Sequence, residues 1–523
     1  MTVSVSLSAP LPRTPIFERL ASNPLEKNAV LHANHDDPTA PPTRARSYGQ
    51  LLRDVAETKR KLLDAQGAGV SDLEGKRIAM LIENSYEYVV GLLSIFAAGG
   101  IAVPICTTHP VAEQRYVLAD SVPSTLLTSA RFSERAAELI SPPEITTQSQ
   151  LLSLSDSDLS SAFSAPELVE FDLNRPALII YTSGTTSLPK GVVHTHLSLG
   201  TQISALISAW KISSTDHLLH VLPLHHIHGI IPALMTPLSA GATVEFLPFK
   251  PAPVWSRLTT TLQPPITLFM AVPTIYTRLL GTNPQKLPNM RLAISGSASL
   301  PSSVRVAWDT ATGAPLLERY GMSEIGMALS QPLSADSRIP GSVGLPLPEV
   351  EARLNPGDNE LLIRGPNVFA QYWQREKANA EAFVESAELR GRWFLTGDVA
   401  RVGATGEFYI LGRKSVDVLK SGGEKVSALE VEREMLELPQ VAEVAVLGVP
   451  DEEWGQRVAA VVVLKDEWKE KGWTLEEMRT EMKKRVAVQK VPAVLRVVDQ
   501  IKRNAMGKVN KVDLGKEVFG IGK

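Results

Sequence analysis

Short apolar runs alternate with longer amphipathic segments along most of the 523 residues. In the first third, RIAMLIE (77–83), IAVPI (101–105) and STLLTS (124–129) predict strands. Between them, YEYVVGLLSIFAAGG (86–100) and HPVAEQRYVLADS (109–121) predict helices. Strands that alternate with helices are typical of layered α/β proteins with a largely parallel sheet. We therefore predict an α/β fold for the larger part of the chain.

The pattern changes after about residue 412. The segments SALEVEREMLEL (427–438) and TLEEMRTEMKKRVA (474–487) predict helices, and VAEVAVLGV (441–449) and QRVAAVVVL (456–464) predict strands. This order indicates a small α+β domain. We predict a large N-terminal domain of layered α/β subdomains over residues 1–411 and a small mobile domain over residues 412–523.

Two stretches need separate interpretation. Residues 89–106 contain no charge over 18 residues, which is close to the minimum for a membrane span. Gly99, Gly100 and Pro104 interrupt this stretch, so we expect a buried helix that ends at the glycines, followed by a strand. Residues 149–167 are rich in Ser and Asp without periodicity and predict a solvent loop.

Composition narrows the class of protein. The net charge of −3 gives no reason to expect nucleic acid or an anionic membrane as a partner. The single cysteine, Cys106, excludes an internal disulfide and a cysteine-rich zinc site. Its flanks are apolar and no activating His/Asp group is evident, so we expect a buried structural thiol. These features favour a reducing compartment, the cytoplasm or alternatively the mitochondrial matrix, and leave monomer and homodimer open.

The segment YTSGTTSLPKGVVHTH (181–196) carries the strongest chemical signal. It follows the apolar strand PALIIY (176–181) and precedes the helical pattern LSLGTQISALISAW. Glycine lets the backbone approach an anion, hydroxyl groups donate hydrogen bonds, and Lys190 adds a positive charge, which together suit a triphosphate. A Walker A loop fits poorly, because Pro189 replaces its second glycine and Gly191 its magnesium-binding hydroxyl.

TSGTTSLPKG resembles the signature loop of the AMP-binding, adenylate-forming enzymes, which include acyl-CoA synthetases, luciferases and peptide-synthetase adenylation domains. The other motifs of that family follow in order over about residues 15 to 515. They are LPLHHIHG (222–229), GSAS (296–299), YGMSE (320–324), RWFLTGDVA (392–400), GRKSVDVLKSGGEKVSALEVE (412–432) and RNAMGKVNK (503–511). The resemblance implies an enzyme that activates a carboxylate with ATP and Mg²⁺, and then transfers the acyl group to a thiol such as coenzyme A.

The resemblance also implies roles for individual residues. Lys508, Glu324 and Ser323 are expected to be catalytic, and Glu324 and Thr185 to bind Mg²⁺. The expected ATP- and AMP-binding residues are Thr182, Ser183, Gly184, Thr185, Thr186, Lys190, Gly296, Ser297, Ala298, Tyr320, Gly321, Met322, Asp398 and Arg413. Ser415, Gly422, Gly423 and Lys425 are expected at the hinge and the coenzyme A channel. Ser415 departs from the acidic residue or lysine that is more usual there.

Within the family, residues 316–348 and 412–432 closely resemble malonyl-CoA synthetases, which implies a short dicarboxylate as the acid. A second carboxylate buried in the acyl pocket would be costly unless a cation paired with it, preferably a bidentate arginine. Sequence leaves three candidates open: Arg278, Arg291 and Arg305. His226 or His228 could add a hydrogen-bond donor, and Met327 could shorten the pocket.

Alternatives remain at this point. Another short-chain or aryl acyl-CoA synthetase would share all the motifs. A catalytically silent nucleotide-binding homologue is disfavoured because Lys508, Glu324 and Asp398 are intact. A peptide-synthetase adenylation domain is disfavoured because such a domain normally adjoins a carrier domain, whereas little sequence follows the Lys508 motif.

Overall fold

The computed structural model describes residues 9–33, 42–142, 145, 147–152, 166–182, 188–260, 264–386, 391–422, 424–503 and 509–521. Within these ranges, α-helices and β-sheets form the layered α/β architecture that the sequence predicts, followed by a smaller α+β unit. Four sheets of five or more strands organise the described residues.

The first, seven-stranded sheet contains the first strands predicted from the sequence. Its spatial order is Gln371–Tyr372, Lys190–Thr195, Pro176–Thr182, Ile101–Pro104, Arg77–Leu81, Thr125–Thr128 and Gln148–Leu151. The last five of these strands are parallel. Lys190–Thr195 pairs antiparallel with Pro176–Thr182, and Gln371–Tyr372 pairs antiparallel with Lys190–Thr195. Three strands of this sheet were not predicted: Gln371–Tyr372, Lys190–Thr195 and Gln148–Leu151. Lys190–Thr195 pairs back on Pro176–Thr182, and Gln148–Leu151 extends into the segment expected to be a loop.

The uncharged stretch is a buried helix followed by a strand, as predicted. Ser85 caps the helix Tyr86–Ala97, which is buried on almost every side. The chain then turns at Gly99, whose φ of +73° favours glycine, and enters the buried strand Ile101–Pro104. Among the residues that the structure describes, no helix is long and apolar enough to cross a membrane.

The second, nine-stranded sheet is parallel at its centre and antiparallel at both edges. Its spatial order is Leu345–Pro346, Gly326–Ser330, Leu316–Met322, Leu292–Ser295, Leu268–Ala271, His217–His220, Thr243–Phe246, Asn28–His32 and Arg44–Ser47. One large apolar core joins this sheet to the first. Parallel strands collect their carboxyl ends at one edge, where ligands of open α/β sheets usually bind.

Two smaller sheets and a strand pair complete the β-structure. The third sheet is antiparallel and contains Glu351–Leu354, Glu360–Arg364, Gly391–Val402, Phe383–Ser386 and Phe408–Arg413. The fourth contains Glu424–Ser427, Val418–Ser421, Gly455–Leu464, Val441–Asp451 and Val494–Val497, and it has its own apolar core. Leu11–Pro12 pairs with Leu168–Val169. The chain thus passes from the third sheet to the fourth between Arg413 and Val418.

The helices cover the sheets and confirm the predicted helical segments. The α-helices are Pro15–Ala21, Tyr48–Asp64, Tyr86–Ala97, Val111–Ser121, Ser133–Ile140, His196–Trp210, Ile227–Ile230, Thr236–Ser239, Pro251–Thr259, Pro273–Leu280, Ser302–Thr312, Glu376–Glu381, Ala428–Leu436, Asp466–Lys469, Leu475–Met482 and Lys511–Phe519. Ile231–Met235 is a π-helix, and Ala130–Phe132, Ala335–Ser337 and Val488–Lys490 are 3₁₀ turns.

Candidate active site

The strand Leu316–Met322 contains the first three residues of the YGMSE segment (320–324) and separates two groups of polar side chains. Successive side chains of a strand point to opposite faces. Tyr320 lies toward Asp398, its hydroxyl donating to the Asp398 Oδ2 at 2.6 Å. Its neighbour Arg319 lies toward Ser297 on the other side. One strand therefore supplies residues to two places: the expected nucleotide-binding site (the nucleotide side) and the expected binding site of the acid substrate (the acid side).

On the nucleotide side, Tyr320, Asp398 and Arg413 meet although they are far apart in sequence. The Arg413 Nε lies 2.9 Å from the Asp398 Oδ1, and its Nη1 donates to the Thr396 carbonyl at 2.7 Å. Burial, and then the nearby Asp398 charge, hold the pKa of Tyr320 well above its usual range. The phenol therefore stays protonated and can orient the carboxylate.

The expected phosphate-binding segment is a β-hairpin whose tip lies outside the described residues. Thr182 and Lys190 face each other across its two strands. The Lys190 Nζ lies 5.0 Å from the centre of the Tyr372 ring, so the ring face orients the cation. The expected phosphate ligands Ser183, Gly184, Thr185 and Thr186 lie outside the described residues, and Thr185 is also the second expected Mg²⁺ ligand.

Glu324 is a buried carboxylate at the end of the YGMSE segment (320–324). The Tyr372 hydroxyl donates to its Oε1 at 2.9 Å, a contact that the sequence did not reveal. Burial is the largest influence on its pKa and raises it, while the Arg413 and Lys190 charges act in the opposite direction. A carboxylate oxygen is the kind of ligand that Mg²⁺ prefers. Neighbouring Ser323 is fixed through its carbonyl oxygen, which lies 2.7 Å from the His194 Nε2.

The acid side combines a strained backbone with a buried cation. Ser297 has φ = +71°, which is uncommon for a residue other than glycine and concentrates at functional sites. Its Oγ lies 3.2 Å from the His228 Nδ1 and accepts a hydrogen bond from the Arg319 Nη2 at 3.3 Å. A Cβ on Gly296 would lie 2.5 Å from the Arg319 Cζ, so only glycine leaves room for the guanidinium.

Arg319 is the residue that sequence reasoning missed. It is 3% exposed, and its Nε and Nη1 have no hydrogen-bond partner among the described residues. Burial lowers its pKa to about 9. Burial, and then the Arg319 charge, hold the pKa of His228 well below its usual range, so the imidazole is neutral. A buried guanidinium without a carboxylate fits an anionic ligand. Its signal in the sequence was a pair of adjacent charges, Glu318 and Arg319, within the largely apolar strand LLERYGM.

The structure does not bring the three arginines predicted from the sequence to Ser297 and His228. Arg291 precedes the strand Leu292–Ser295 and binds Asp216 at 2.8 Å, so it lies at the opposite, amino end of the sheet. Arg278 is exposed near the end of its helix and stacks 4.8 Å from the Phe249 ring centre. Arg305 lies with Asp309 and Arg338 around a separate small cleft. Arg319 replaces them as the candidate cation.

The remaining residues expected near the acid and the adenine lie close to this strand. His226 ends the segment before the helix Ile227–Ile230 and contacts His225, with ring centres 4.0 Å apart and ring planes tilted by 48°. Met327 is 1% exposed and packs against Gly321, where a Cβ would lie 2.9 Å from the Met327 Cε. Ala298 is exposed beside Ser297, and the Met322 sulfur lies 4.0 Å from the Tyr320 hydroxyl.

The expected hinge lies in a turn between the third and fourth sheets. Ser415 is exposed in this turn. The Arg413 backbone N–H donates to the Asp417 Oδ2 at 3.0 Å. Gly422 has φ = +58°, and a Cβ there would lie 2.7 Å from the Trp454 ring. Lys425 is exposed in the strand Glu424–Ser427, whereas Gly423 and Lys508 lie outside the described residues.

A buried ion network, also missed from the sequence, joins this turn to the last helix. Lys511 is the first residue of that helix, and its side chain is 9% exposed. Its Nζ lies 2.5 Å from the Asp417 Oδ1 and 2.7 Å from the Glu432 Oε1. Asp417 thus connects the Arg413 backbone to a residue three positions beyond Lys508.

Comparison with known families defines the class of protein. The family described as AMP-binding enzyme matches residues 17–373, and the AMP-binding enzyme C-terminal domain matches residues 430–508. The chain belongs to the AMP-binding enzyme family.

Individual relatives and solved structures are similar to this chain over most of its length. The mitochondrial malonate–CoA ligase of Mus musculus is 40% identical, over 88% of this chain and 84% of the relative. The malonate–CoA ligase of Arabidopsis thaliana is 37% identical, over 90% of this chain and 84% of the relative. Among solved structures, ATP-bound MatB from Rhodopseudomonas palustris has a TM-score of 0.82 at 31% identity, covering 98% of this chain and 100% of that chain.

Proposed function

We propose that this protein is an ATP-dependent malonate–CoA ligase. It converts malonate, ATP and coenzyme A into malonyl-CoA, AMP and pyrophosphate through a malonyl-adenylate. The observation that carries the choice of acid is Arg319, a buried guanidinium without a carboxylate partner among the described residues, beside Ser297 and His228. The names of relatives 37–40% identical support the same acid.

Malonate binds with one carboxylate on Arg319 and the other toward the nucleotide. The Nε and Nη1 of Arg319 have no partner among the described residues, and either of them, together with Nη2, offers a bidentate contact to the distal carboxylate. Ser297 adds a hydroxyl, and neutral His228 fixes that hydroxyl without adding a second charge. A monocarboxylate leaves the guanidinium unpaired, so the pocket discriminates against acetate through the cost of a buried unpaired charge.

In the first half-reaction, a malonate carboxylate oxygen attacks the α-phosphorus of ATP, and pyrophosphate leaves. Both reactants are anions, so catalysis depends on alignment and charge neutralisation. Lys508 bridges the carboxylate and the α-phosphate, and Ser323 donates to that phosphate. Lys190 and the hairpin tip, with Ser183 to Thr186, hold the departing pyrophosphate. Asp398 and Arg413 hold the ribose, and Tyr320 stacks on the adenine while its hydroxyl orients Asp398.

Glu324 would hold Mg²⁺ together with Thr185. Mg²⁺, when bound, offsets negative charge on the phosphates. The Tyr372 hydroxyl keeps the Glu324 side chain in one orientation by donating to one of its oxygens, which leaves the other oxygen for the ion. Because burial raises the pKa of Glu324, the carboxylate is lost at a higher pH than that of an exposed glutamate.

In the second half-reaction, the coenzyme A thiol attacks the acyl carbonyl, and AMP leaves with its phosphate. The small domain, residues 412–523, rotates about Ser415 so that Lys508 withdraws and the pantetheine arm enters past Gly422 and Gly423, with Lys425 near the nucleotide of coenzyme A. The exposed position of Ser415 in the turn between two sheets supports this assignment.

The test is a panel of acids with ATP, Mg²⁺ and coenzyme A, in which the thioester is identified by mass. Malonate, methylmalonate, acetate, octanoate and benzoate cover short dicarboxylates, short and long monocarboxylates and aryl acids. We expect thioester from malonate at the highest kcat/KM. A thioester from acetate, octanoate or benzoate but none from malonate would refute the proposed acid.

Location and assembly follow from different evidence. The relative from Mus musculus is named as a mitochondrial protein, which favours the mitochondrial matrix over the cytoplasm for this chain as well. Imaging of the chain with a fluorescent protein fused to its C-terminus tests this. Small molecules are the proposed partners, and light scattering of the purified protein distinguishes monomer from homodimer.

A further inference from the structure

Cys106 has two histidine neighbours that the sequence did not reveal. The sequence placed this cysteine between apolar residues and predicted an inert structural thiol. The thiol is buried at 5% exposure, but His109 and His225 lie beside it. One ligand atom from each of the three residues lies within 4.8 Å of the other two. The thiol is buried as expected, but the structure groups it with two histidines, and the sequence could not reveal that grouping because His225 comes from a segment 119 positions away.

The three side chains come from different parts of the large domain. Cys106 and His109 follow the strand Ile101–Pro104 of the first sheet. His225 follows the strand His217–His220 of the second sheet. The cluster therefore connects the carboxyl edges of the two large sheets. His225 shares its segment with His228, but the proposed mechanism assigns no role to Cys106, His109 or His225.

The histidines carry the accessory contacts of metal ligands. The His109 Nδ1 lies 3.2 Å from the Glu113 Oε2, and a neutral ring that donates there has its lone pair on Nε2. Such a carboxylate–histidine contact orients ligating imidazoles in metal sites. The His225 Nε2 is buried and has no hydrogen-bond partner among the described residues. A buried ring nitrogen without a partner is costly unless a ligand satisfies it.

We propose that Cys106, His109 and His225 form a binding site for Zn²⁺ or a similar thiophilic divalent ion, with water as the fourth ligand. One sulfur and two imidazole ligands suit Zn²⁺ and exclude a preference for Mg²⁺. Bonds of about 2.0–2.3 Å place tetrahedral ligand atoms about 3.3–3.8 Å apart. The cluster must therefore contract by about 1 Å. His109 lies in the short segment before the helix Val111–Ser121, where such a shift is local.

The ion has an entry path and an expected effect on stability. A cavity of about 800 Å³ is lined by His225, Thr107 and Thr108, and so reaches the cluster from solvent. On binding, the Cys106 thiol releases its proton to solvent, and the thiolate sulfur bonds the metal. Because the ligands come from both sheets, the bound ion crosslinks them and stabilises the folded chain.

The experiment uses Co²⁺ as a spectroscopic substitute for Zn²⁺ on chelator-treated protein without nucleotide. Cys106 is the only cysteine of the chain, so a thiolate-to-Co²⁺ charge-transfer band reports this site alone. We expect one equivalent of Co²⁺ to produce the band, Zn²⁺ to abolish it by displacement, and millimolar Mg²⁺ to leave it unchanged. Zn²⁺ should also raise the Tm and protect Cys106 from alkylation.

Variants separate the three ligands from their surroundings. Cys106→Ser should lose the band, and His109→Ala and His225→Ala should each weaken Co²⁺ binding by about tenfold or more. The matched control is Thr108→Val, which removes a hydroxyl 3.3 Å from the Cys106 sulfur but keeps all three ligands and should keep the band. Melting curves without metal confirm that each variant is folded. Absence of the band in the unmodified protein, or unchanged Co²⁺ affinity in both histidine variants, would overturn the proposal.

Discussion

Replacing Arg319 by methionine tests the proposed acid pocket most sharply. Methionine keeps a long side chain in the space beside Gly296 and removes the charge. The distal carboxylate of malonate would then be buried without a partner, which costs about 3–5 kcal/mol. At 1.36 kcal/mol for each factor of ten, kcat/KM for malonate should fall about 10²- to 10⁴-fold. Acetate has no second carboxylate, so its kcat/KM should stay within a few-fold.

The effect on stability distinguishes this role from a structural one. Arg319 is 3% exposed, and its Nε and Nη1 have no partner within the described parts of the chain, so its removal relieves an uncompensated buried charge. We therefore expect the free protein with Arg319→Met to be at least as resistant to thermal unfolding as the unmodified chain. A fall in Tm together with equal losses for malonate and acetate would refute the reasoning.

Arg291→Met is the informative comparison. Asp216, which is 3% exposed, loses the guanidinium that binds it at 2.8 Å, so this variant should be less stable. Because Arg291 lies at the amino end of the sheet, the ratio of malonate to acetate kcat/KM should not change. If Arg291→Met lost kcat/KM for malonate selectively and Arg319→Met did not, Arg291 and not Arg319 would be the cation that binds the distal carboxylate.

Three further outcomes follow. Lys508→Ala should abolish malonyl-adenylate formation, which ATP–pyrophosphate exchange measures. The variant should still catalyse the attack of coenzyme A on supplied malonyl-adenylate. Equal loss of both steps would contradict the domain rotation. Lys511→Met leaves two buried carboxylates, Asp417 and Glu432, unpaired, and should lower the free energy of unfolding of the small domain by about 3–5 kcal/mol in denaturant titrations. Burial lowers the pKa of His196 to about 4 from 6.5, so the unfolded state alone binds a proton between these values, and stability falls with falling pH by up to about 3 kcal/mol. His196→Phe should remove that part of the acid sensitivity, and an identical pH dependence of Tm in both proteins would count against it.

The sequence predicted the fold where local patterns decide the structure. The buried helix Tyr86–Ala97 and the strand Ile101–Pro104 follow from apolar runs and from glycine at the turn. The strand Lys190–Thr195 was missed because it lies inside a polar motif that draws attention to phosphate binding, and its pairing with Pro176–Thr182 stabilises it.

The candidate site was predictable only in part, for a physical reason. Motif order brought Tyr320, Asp398 and Arg413 into one proposal, and the structure places them together. The cation for the acid could not be chosen, because Arg319 becomes an unpartnered buried charge only through tertiary packing. Arg291, which looked equivalent in sequence, is neutralised by Asp216 from a distant segment. Pairing between charges far apart in the chain is what sequence patterns leave open.

The most direct measurement of the central claim uses malonate labelled with ¹⁸O in both carboxylates, together with ATP, Mg²⁺ and coenzyme A. Attack of a malonate oxygen on the α-phosphorus, followed by thiol attack on the carbonyl, moves one labelled oxygen into AMP. The account predicts malonyl-CoA together with AMP heavier by a single ¹⁸O. Unlabelled AMP, label in inorganic phosphate with ADP as the nucleotide product, or the absence of malonyl-CoA would contradict it.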